Sequence, residues 1–508
     1  RLNMKRIRIY MVIPLLAIFA TVTTCHACSN SNEGEAPSGP FSSTSPVILN
    51  SILQSNMVLQ RNADVPFRGT GGTPGQSVKV TCSWTATEYI AQVGSDGCWE
   101  VKVPTPEAGG PFTITVEGRD KVVLDNVMSG DVWFCAGQSN MQMMVVEVEN
   151  AEEELANANI DNIRLFNIDT RAQSDTPVDN IAANWTVCNQ TTVRRFSAAG
   201  FFFGRELEKE LDVPIGLINA SWGNTPAEVW TNRELVMADE ELKANALKIE
   251  NNGSAQPNRA GNVYNAMVYP FRKFPIAGTV WYQGENNQSY AYSYCKLLKT
   301  LVGGWRSDWG YDFPFYIAQV CPRYRQYDHP VYYANPALRN QQRMAADEIP
   351  GSGLGVNDDI ADLNNSHPKN KQDVGLRLAC IALSKTYGKR TFDDKLSPMF
   401  DRNVPEGNKM RVWFDNVAGS LTTSDGLAPS CFEIAGEDGV FKAAEAVIDG
   451  NTVVLHNAGV PAPKYSRLGW SYYKVTNLRS AAGLPPSVYS TQTWRDMSEE
   501  PGSKGPAK

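Results

Sequence analysis

The chain is 508 residues long and carries 47 Lys and Arg against 54 Asp and Glu, a formal net charge of −7. At that length, with 42% hydrophobic and 20% charged residues, it can bury substantial cores and is expected to divide into two to four domains. The acidic balance, with no Lys/Arg-rich run outside the extreme N-terminus, leaves no basic face for a phosphate backbone, so nucleic acid is not an expected partner.

In chain order, residues 1–28 read as an export signal. "KRIR" after Met4 is the positive region, "MVIPLLAIFATVTT" the apolar stretch, and "CHAC" sets small Ala27 before Cys28. The apolar stretch falls short of the roughly 20 residues of a membrane span, and no later run approaches that length. The mature protein is therefore expected to be exported without a transmembrane span: periplasmic, anchored to the outer membrane, or extracellular. Cys25 or Cys28 is a candidate lipid-acceptor position, with simple cleavage as the alternative. Residues 29–46, rich in Ser, Asn, Glu and Gly, read as a flexible linker.

From 47 to 127 short strand-like pieces ("NMVLQ", "VPFRGTG", "SVKVTCSW", "CWEVKVP", "FTITVEG", "KVVLDNV") alternate with turn signals, the pattern of a β-sandwich. Cys82 and Cys98 fall in neighbouring pieces, where an exported domain can form a disulfide. The other cysteines show no C-x-x-C metal pair and read as small buried apolar residues, so no metal is expected. From 128 to 392 apolar strands ("DVWFCA", "VPIGLINA", "AGTVWY", "FPFYIAQV") alternate with helical patterns at 196–211, 335–348 and 370–388. That alternation predicts an α/β domain, a parallel sheet with helices on both faces. Short strands return from 393 to 495, which predicts a second β domain, and 496–508 read as a tail.

Three polar clusters of the middle region follow directly on predicted strands: "AGQSNM" after "VWFC", "SWGNTPAEVW" after "PIGLI", and "YQGENN" after "AGTVW". Reactive groups of open α/β sheets collect beyond the carboxyl ends of the strands, so this placement marks a candidate active site. Ser139 in the first cluster is a candidate nucleophile, and a serine hydroxyl needs a base and oxyanion donors. His367, in the polar loop of "NNSHPKNK" at the entry to the last helix, is favoured as the base over His329 in a Tyr-rich loop. Gln138 and Asn140 either contact substrate or cap a helix beginning near Met141. Glu285 and Asn286 either contact substrate or hold their loop. Trp222, Trp230 and Trp281 are read as sugar platforms or as core, and Arg467 and Trp470 as an interdomain contact.

"GDVWFCAGQSNM", "SAAGFFFGREL", "IGLINASWGNTPAEVW", "WYQGENN" and "HPKNKQDVGLRLA", in this order, resemble the sialate O-acetylesterase family within the SGNH hydrolases. The likeness extends into both β regions and covers about 45 to 495. It implies an SGNH-hydrolase-like fold and a cofactor-free carbohydrate esterase that removes O-acetyl groups through an acetyl-serine intermediate. Ser139 would be its nucleophile and His367 its base. The N–H groups of Ser139 and of Gly223 or Asn224, with the Gln283 amide, would form the oxyanion hole. Asn224 replaces the second glycine of the usual pair, and Asn tolerates a positive φ. The superfamily commonly places Asp three residues before the histidine, where this chain has Asn364. The Asn364 carbonyl, Asp362 or Asp359, or Glu285 are the candidates for orienting His367. The expected substrate is an O-acetylated carbohydrate: sialic acid, or acetylated xylan or pectin on the same scaffold. A catalytically inactive glycan-binding surface protein, or a lipase or thioesterase of the same superfamily, are the other readings, and no lid-like apolar helix supports the last.

Overall fold

The computed structural model of the protein describes residues 46–169, 171–251, 257–323, 334–417 and 419–492. The expected signal segment with Cys25 and Cys28, most of the linker, the tail and His329 lie outside the described residues. The fold is a mixed α/β arrangement with a large mixed sheet flanked by helices and further β-sheet regions on either side in sequence.

The middle of the large sheet is built on one strand, Lys121–Gly137. Its first half pairs antiparallel with Gly109–Glu117, and its second half lies parallel between Ile215–Ser221 and Gly278–Tyr282. Outward from these, Ile160–Asn167 flanks the first neighbour, and Phe315–Ala318 then Ser352–Gly355 flank the second, all parallel. Trp185–Cys188 closes one edge antiparallel. The chain thus adds strands on one side of the central strand and then crosses to the other, which opens a crevice at the central strand's carboxyl end. The expected boundary at 127/128 falls inside this continuous strand.

Residues 131–137 are buried on both faces, so the strand reads as an unbroken apolar run rather than an alternating one. Trp133 and Cys135 pack with the helices Ala198–Leu211 and Gln372–Lys385. Phe134 and Ala136 face the opposite core, which contains Trp281, Trp305 and Phe315 and continues into the N-terminal β region through Val65, Phe67 and Val80. A fully buried side chain of this size contributes about 1.5–3 kcal/mol, so both faces of the strand add to the stability of the middle region. Ser197 caps the first helix by accepting from the Gly200 N–H at 3.1 Å.

The N-terminal region adds a three-stranded sheet, Ile48–Leu49, Asp64–Thr70 and Cys98–Pro104, in that order. Cys82 ends a strand of the large sheet while Cys98 begins one of this smaller sheet, and no disulfide joins them, contrary to the sequence expectation. The C-terminal region forms two four-stranded sheets around a core that includes Met410, Val412, Phe432 and Leu455. Trp470 packs into the core of the large sheet rather than this one, as an interdomain contact requires. Arg467 pairs with Glu433 at 2.7 Å and lies over the rings of Phe441 and Trp470.

Candidate active site

In the register of the large sheet, Gly137 pairs with Ser221 on one side and with Tyr282 on the other. The three strands therefore end at one level, and the polar clusters that follow them begin together. Gly137 has φ +145°, and a Cβ there would stand 2.2 Å from the Tyr282 carbonyl oxygen, so only glycine lets the strands close up at this point. The Gln138 N–H donates to Tyr282 O at 3.0 Å and the Trp222 N–H to Gly137 O at 3.0 Å, carrying the ladder one residue into each cluster.

Ser139 opens a one-turn helix, Ser139–Gln142, and its Oγ lies 2.8 Å from His367 Nε2. The hydroxyl and imidazole come from segments 228 positions apart and meet at hydrogen-bond distance, the arrangement in which a histidine accepts a serine proton. Burial pushes the His367 imidazole below its ordinary range, the charges of Lys371 and Arg323 push it the same way, and Glu147 opposes them. The ring is thereby held in the neutral form that can act as a base.

The loop that carries His367 is held by its backbone. Asn140 Nδ2 donates to Ser366 O at 2.9 Å, the His367 N–H donates to Asn365 Oδ1 at 2.9 Å, and the Glu149 N–H donates to Lys369 O at 3.2 Å. None of the expected orienting groups bonds to His367 Nδ1 among the described residues. Asp362 Oδ1 instead accepts from the Asn364 N–H at 2.9 Å, closing a local turn. Asp359 takes both Arg377 Nη atoms at 2.7 and 2.8 Å, and Glu285 accepts from Asn140 Nδ2 at 2.6 Å.

Asn140 is not a helix cap, because the helix already begins at Ser139; it is buried and bridges Glu285 to the His367 loop. Glu285 is half-buried with its Oε2 shielded from solvent, and desolvation of the carboxyl raises its pKa. Gln138, also buried, accepts through Oε1 from Gln283 at 3.0 Å. Asn286 is exposed at the rim and donates to Asn224 O at 2.9 Å.

Gln283 is not presented as a free oxyanion donor. It is fully buried, and its amide nitrogen donates to Gln138 Oε1, Thr225 O and Asn287 Oδ1 at 3.0, 3.0 and 2.8 Å, while Tyr294 donates to its Oε1 at 2.6 Å. Asn287 in turn donates to the buried Glu228 at 2.8 Å, so the amide belongs to a brace between two of the clusters. The Gly223 N–H donates to Gln142 Oε1 at 2.6 Å, and Asn224 has φ +60°, the left-handed turn that asparagine accepts in place of glycine. Gln142 lies three residues beyond Ser139 on the one-turn helix, a spacing that places it beside the serine and was legible once the helix start was known.

Trp230 and Trp281 are fully buried and meet edge to face at 6.0 Å, so they are core and not sugar platforms; Trp222 is partly exposed beside Gly223. Lys371, four residues after the histidine, is a buried residue that the sequence reading passed over. Among the described residues no group of three or more His, Cys, Asp or Glu side chains is clustered to hold a metal ion, and no helix is long and apolar enough to cross a membrane.

Comparison with known proteins shows the family. Residues 129–383 match the family model for carbohydrate esterase, sialic acid-specific acetylesterase. The rat sialate O-acetylesterase is 29% identical over 400 residues, covering 67% of this chain and 73% of the relative; the human one is 28% identical over 384 residues, covering 68% and 72%. A solved carbohydrate acetylesterase from Xanthomonas citri superposes with a TM-score of 0.80 at 30% identity, over 88% of this chain and 100% of its own. A family model over half the chain and a structural relative matched along its whole length leave one assignment: the chain belongs to the sialic acid-specific acetylesterase family of carbohydrate esterases, and it is an esterase.

Proposed function

We propose that the protein hydrolyses O-acetyl esters of sialic acid or related acetylated glycans through an acetyl-serine intermediate. Ser139 Oγ attacks the acetyl carbonyl carbon as its proton passes to His367 Nε2, and the carbonyl oxygen becomes an oxyanion. Collapse breaks the bond to the sugar oxygen, which takes the proton from His367. Water, deprotonated by the same imidazole, then attacks the acetyl-serine and releases acetate. The observation that carries this reading is the 2.8 Å approach of His367 Nε2 to Ser139 Oγ at the carboxyl end of the central strand.

The Ser139 N–H, at the start of a helix, supplies one oxyanion donor, and the Gly223–Asn224 turn the other, with the oxyanion taking the place that Gln142 Oε1 holds on Gly223. The names of the curated relatives favour O-acetylated sialic acid as the substrate, and the name of the solved relative supports acetylated carbohydrates more widely. In the same reading the middle region, 128–392, is an SGNH-type hydrolase domain between β-sandwich-like domains at 47–127 and 393–495. Residues 1–28 direct export, with a lipid anchor at Cys25 or Cys28 as one form of it.

Acetate release from p-nitrophenyl acetate tests the chemistry: the purified protein is expected to exceed its own Ser139→Ala variant, and equal rates would reject the reading. Release from O-acetylated sialic acids, acetylxylan and pectin, compared side by side, then identifies the sugar.

A further inference from the structure

Lys371 is fully buried at the entry to the Gln372–Lys385 helix. Lysine is among the residues least often buried without a charged partner, because removing an ammonium from water is expensive. Its Nζ donates to Pro368 O, lies 5.7 Å from the centre of the Tyr282 ring, and forms no ion pair among the described residues. Pro368 is the residue after His367. Ser366, on the other side of the histidine, has its carbonyl held by Asn140 at 2.9 Å. The catalytic base is therefore clamped between a buried amide and a buried ammonium, in a chain where no acid bonds to His367 Nδ1 among the described residues.

We propose that Lys371 is a positioning residue for the esterase reaction: its buried ammonium fixes the carbonyl of Pro368, the residue after His367, and sets a positive charge beside the histidine loop. This rests on the reading of Ser139 and His367 as nucleophile and base. A carboxylate on Nδ1 orients a histidine but also raises its affinity for a proton. Here orientation comes from the backbone on both sides of the ring, and the nearby buried charge has the opposite sign.

The groups that act on the imidazole come from three elements. Lys371 stands at the start of the helix that follows the histidine loop, Arg323 in the segment after the Phe315–Ala318 strand, and Glu147 in the short turn after Ser139. Lys371 and Arg323 oppose protonation of His367, and Glu147 favours it. Lys371 is itself pushed down by burial to about 8, with Cys321 and Glu285 acting the other way.

The test is the pH dependence of kcat/KM for p-nitrophenyl acetate in Lys371→Gln and Lys371→Met. Gln keeps an amide donor at a shorter reach and loses the charge; its acid limb is expected to move to higher pH. Met loses both, so the same shift is expected together with a fall in kcat on the order of 10- to 100-fold, the effect of a base out of place. Glu147→Gln, at an exposed site that keeps its acceptor for the Met144 N–H, is expected to move the limb to lower pH. An acid limb in folded Lys371→Gln that coincides with the parent's overturns the proposal, whatever happens to kcat. Should both Lys371 variants fail to fold, the His367 imidazole is titrated by NMR in the parent protein, and a pKa at or above the ordinary 6.5 overturns the proposal. Failure of the underlying reading is separate: it appears as a Ser139→Ala variant as active as its parent.

Discussion

In the proposed reaction Ser139 and His367 are the reactive pair, 2.8 Å apart, and the residues around them bear on how each is placed. Replacing either with Ala is expected to lower kcat by on the order of 10³-fold or more, with KM little changed, because the pair acts in the chemical step. Acetate release at saturating substrate measures it. The histidine must be neutral to act, and burial, Lys371 and Arg323 all lower its pKa. The plateau of kcat/KM is therefore expected to extend below pH 6.5, falling only when the imidazole takes up a proton, and an acid midpoint at or above 6.5 would contradict that. Two residues show where sequence reading reaches its limit. Asn140 is a good helix cap by type, yet its amide is spent on Glu285 and Ser366 O, partners 145 and 226 positions away that no local pattern announces. Lys371 sits in "HPKNK", a run that reads as solvated loop, and only the packing of Tyr282 and the helix entry shows it to be buried.

At the scale of elements, the strands and helices of the middle region were legible because their patterns are strong. The apolar period of 196–211 gave the helix Ala198–Leu211, and the apolar runs gave the buried parallel strands. What the pattern hid is that Lys121–Gly137 is one strand. "SGD" at 129–131 resembles a turn, but Gly130 is there because a Cβ would stand 1.9 Å from the Pro214 carbonyl oxygen, and the strand changes partners at that point without bending away from the sheet. Gly137→Ala is expected to force the central strand and the Gly278–Tyr282 strand apart and to leave little soluble protein, read out by yield and by the cooperativity of thermal unfolding. Asn224→Val places a β-branched residue at φ +60° and is expected to lose about 1–2 kcal/mol of stability, while Asn224→Gly is tolerated. Denaturant midpoints of the two variants distinguish the effect of the turn's geometry from any contact of the side chain.

Among the described residues, the N-terminal, middle and C-terminal regions share a core at the large sheet. This core runs without interruption from Val65 and Phe67 of the N-terminal region through Phe134 and Trp281 to Trp470 and Val488 near the C-terminal end. Gln319 Nε2 reaches Ser487 Oγ at 3.1 Å, and the Arg323 N–H reaches Tyr472 O at 2.8 Å, so the C-terminal segment braces the loop after the Phe315–Ala318 strand. Composition marked three regions along the chain because strand and helix signals change in type there; it carried no sign that the regions share a strand and a core. A fragment spanning 128–392 is accordingly expected to lack a cooperative melting transition, whereas a fragment from 46 to 492 melts as the parent does. The central claim concerns the acetyl-serine, and the most direct measurement is mass analysis of the protein quenched during turnover of an acetyl ester, with the modified peptide mapped. One acetyl group on the peptide that contains Ser139, absent in Ser139→Ala, is the result this account predicts. Undiminished turnover in Ser139→Ala, or an acetyl group carried through turnover on another residue, would contradict it.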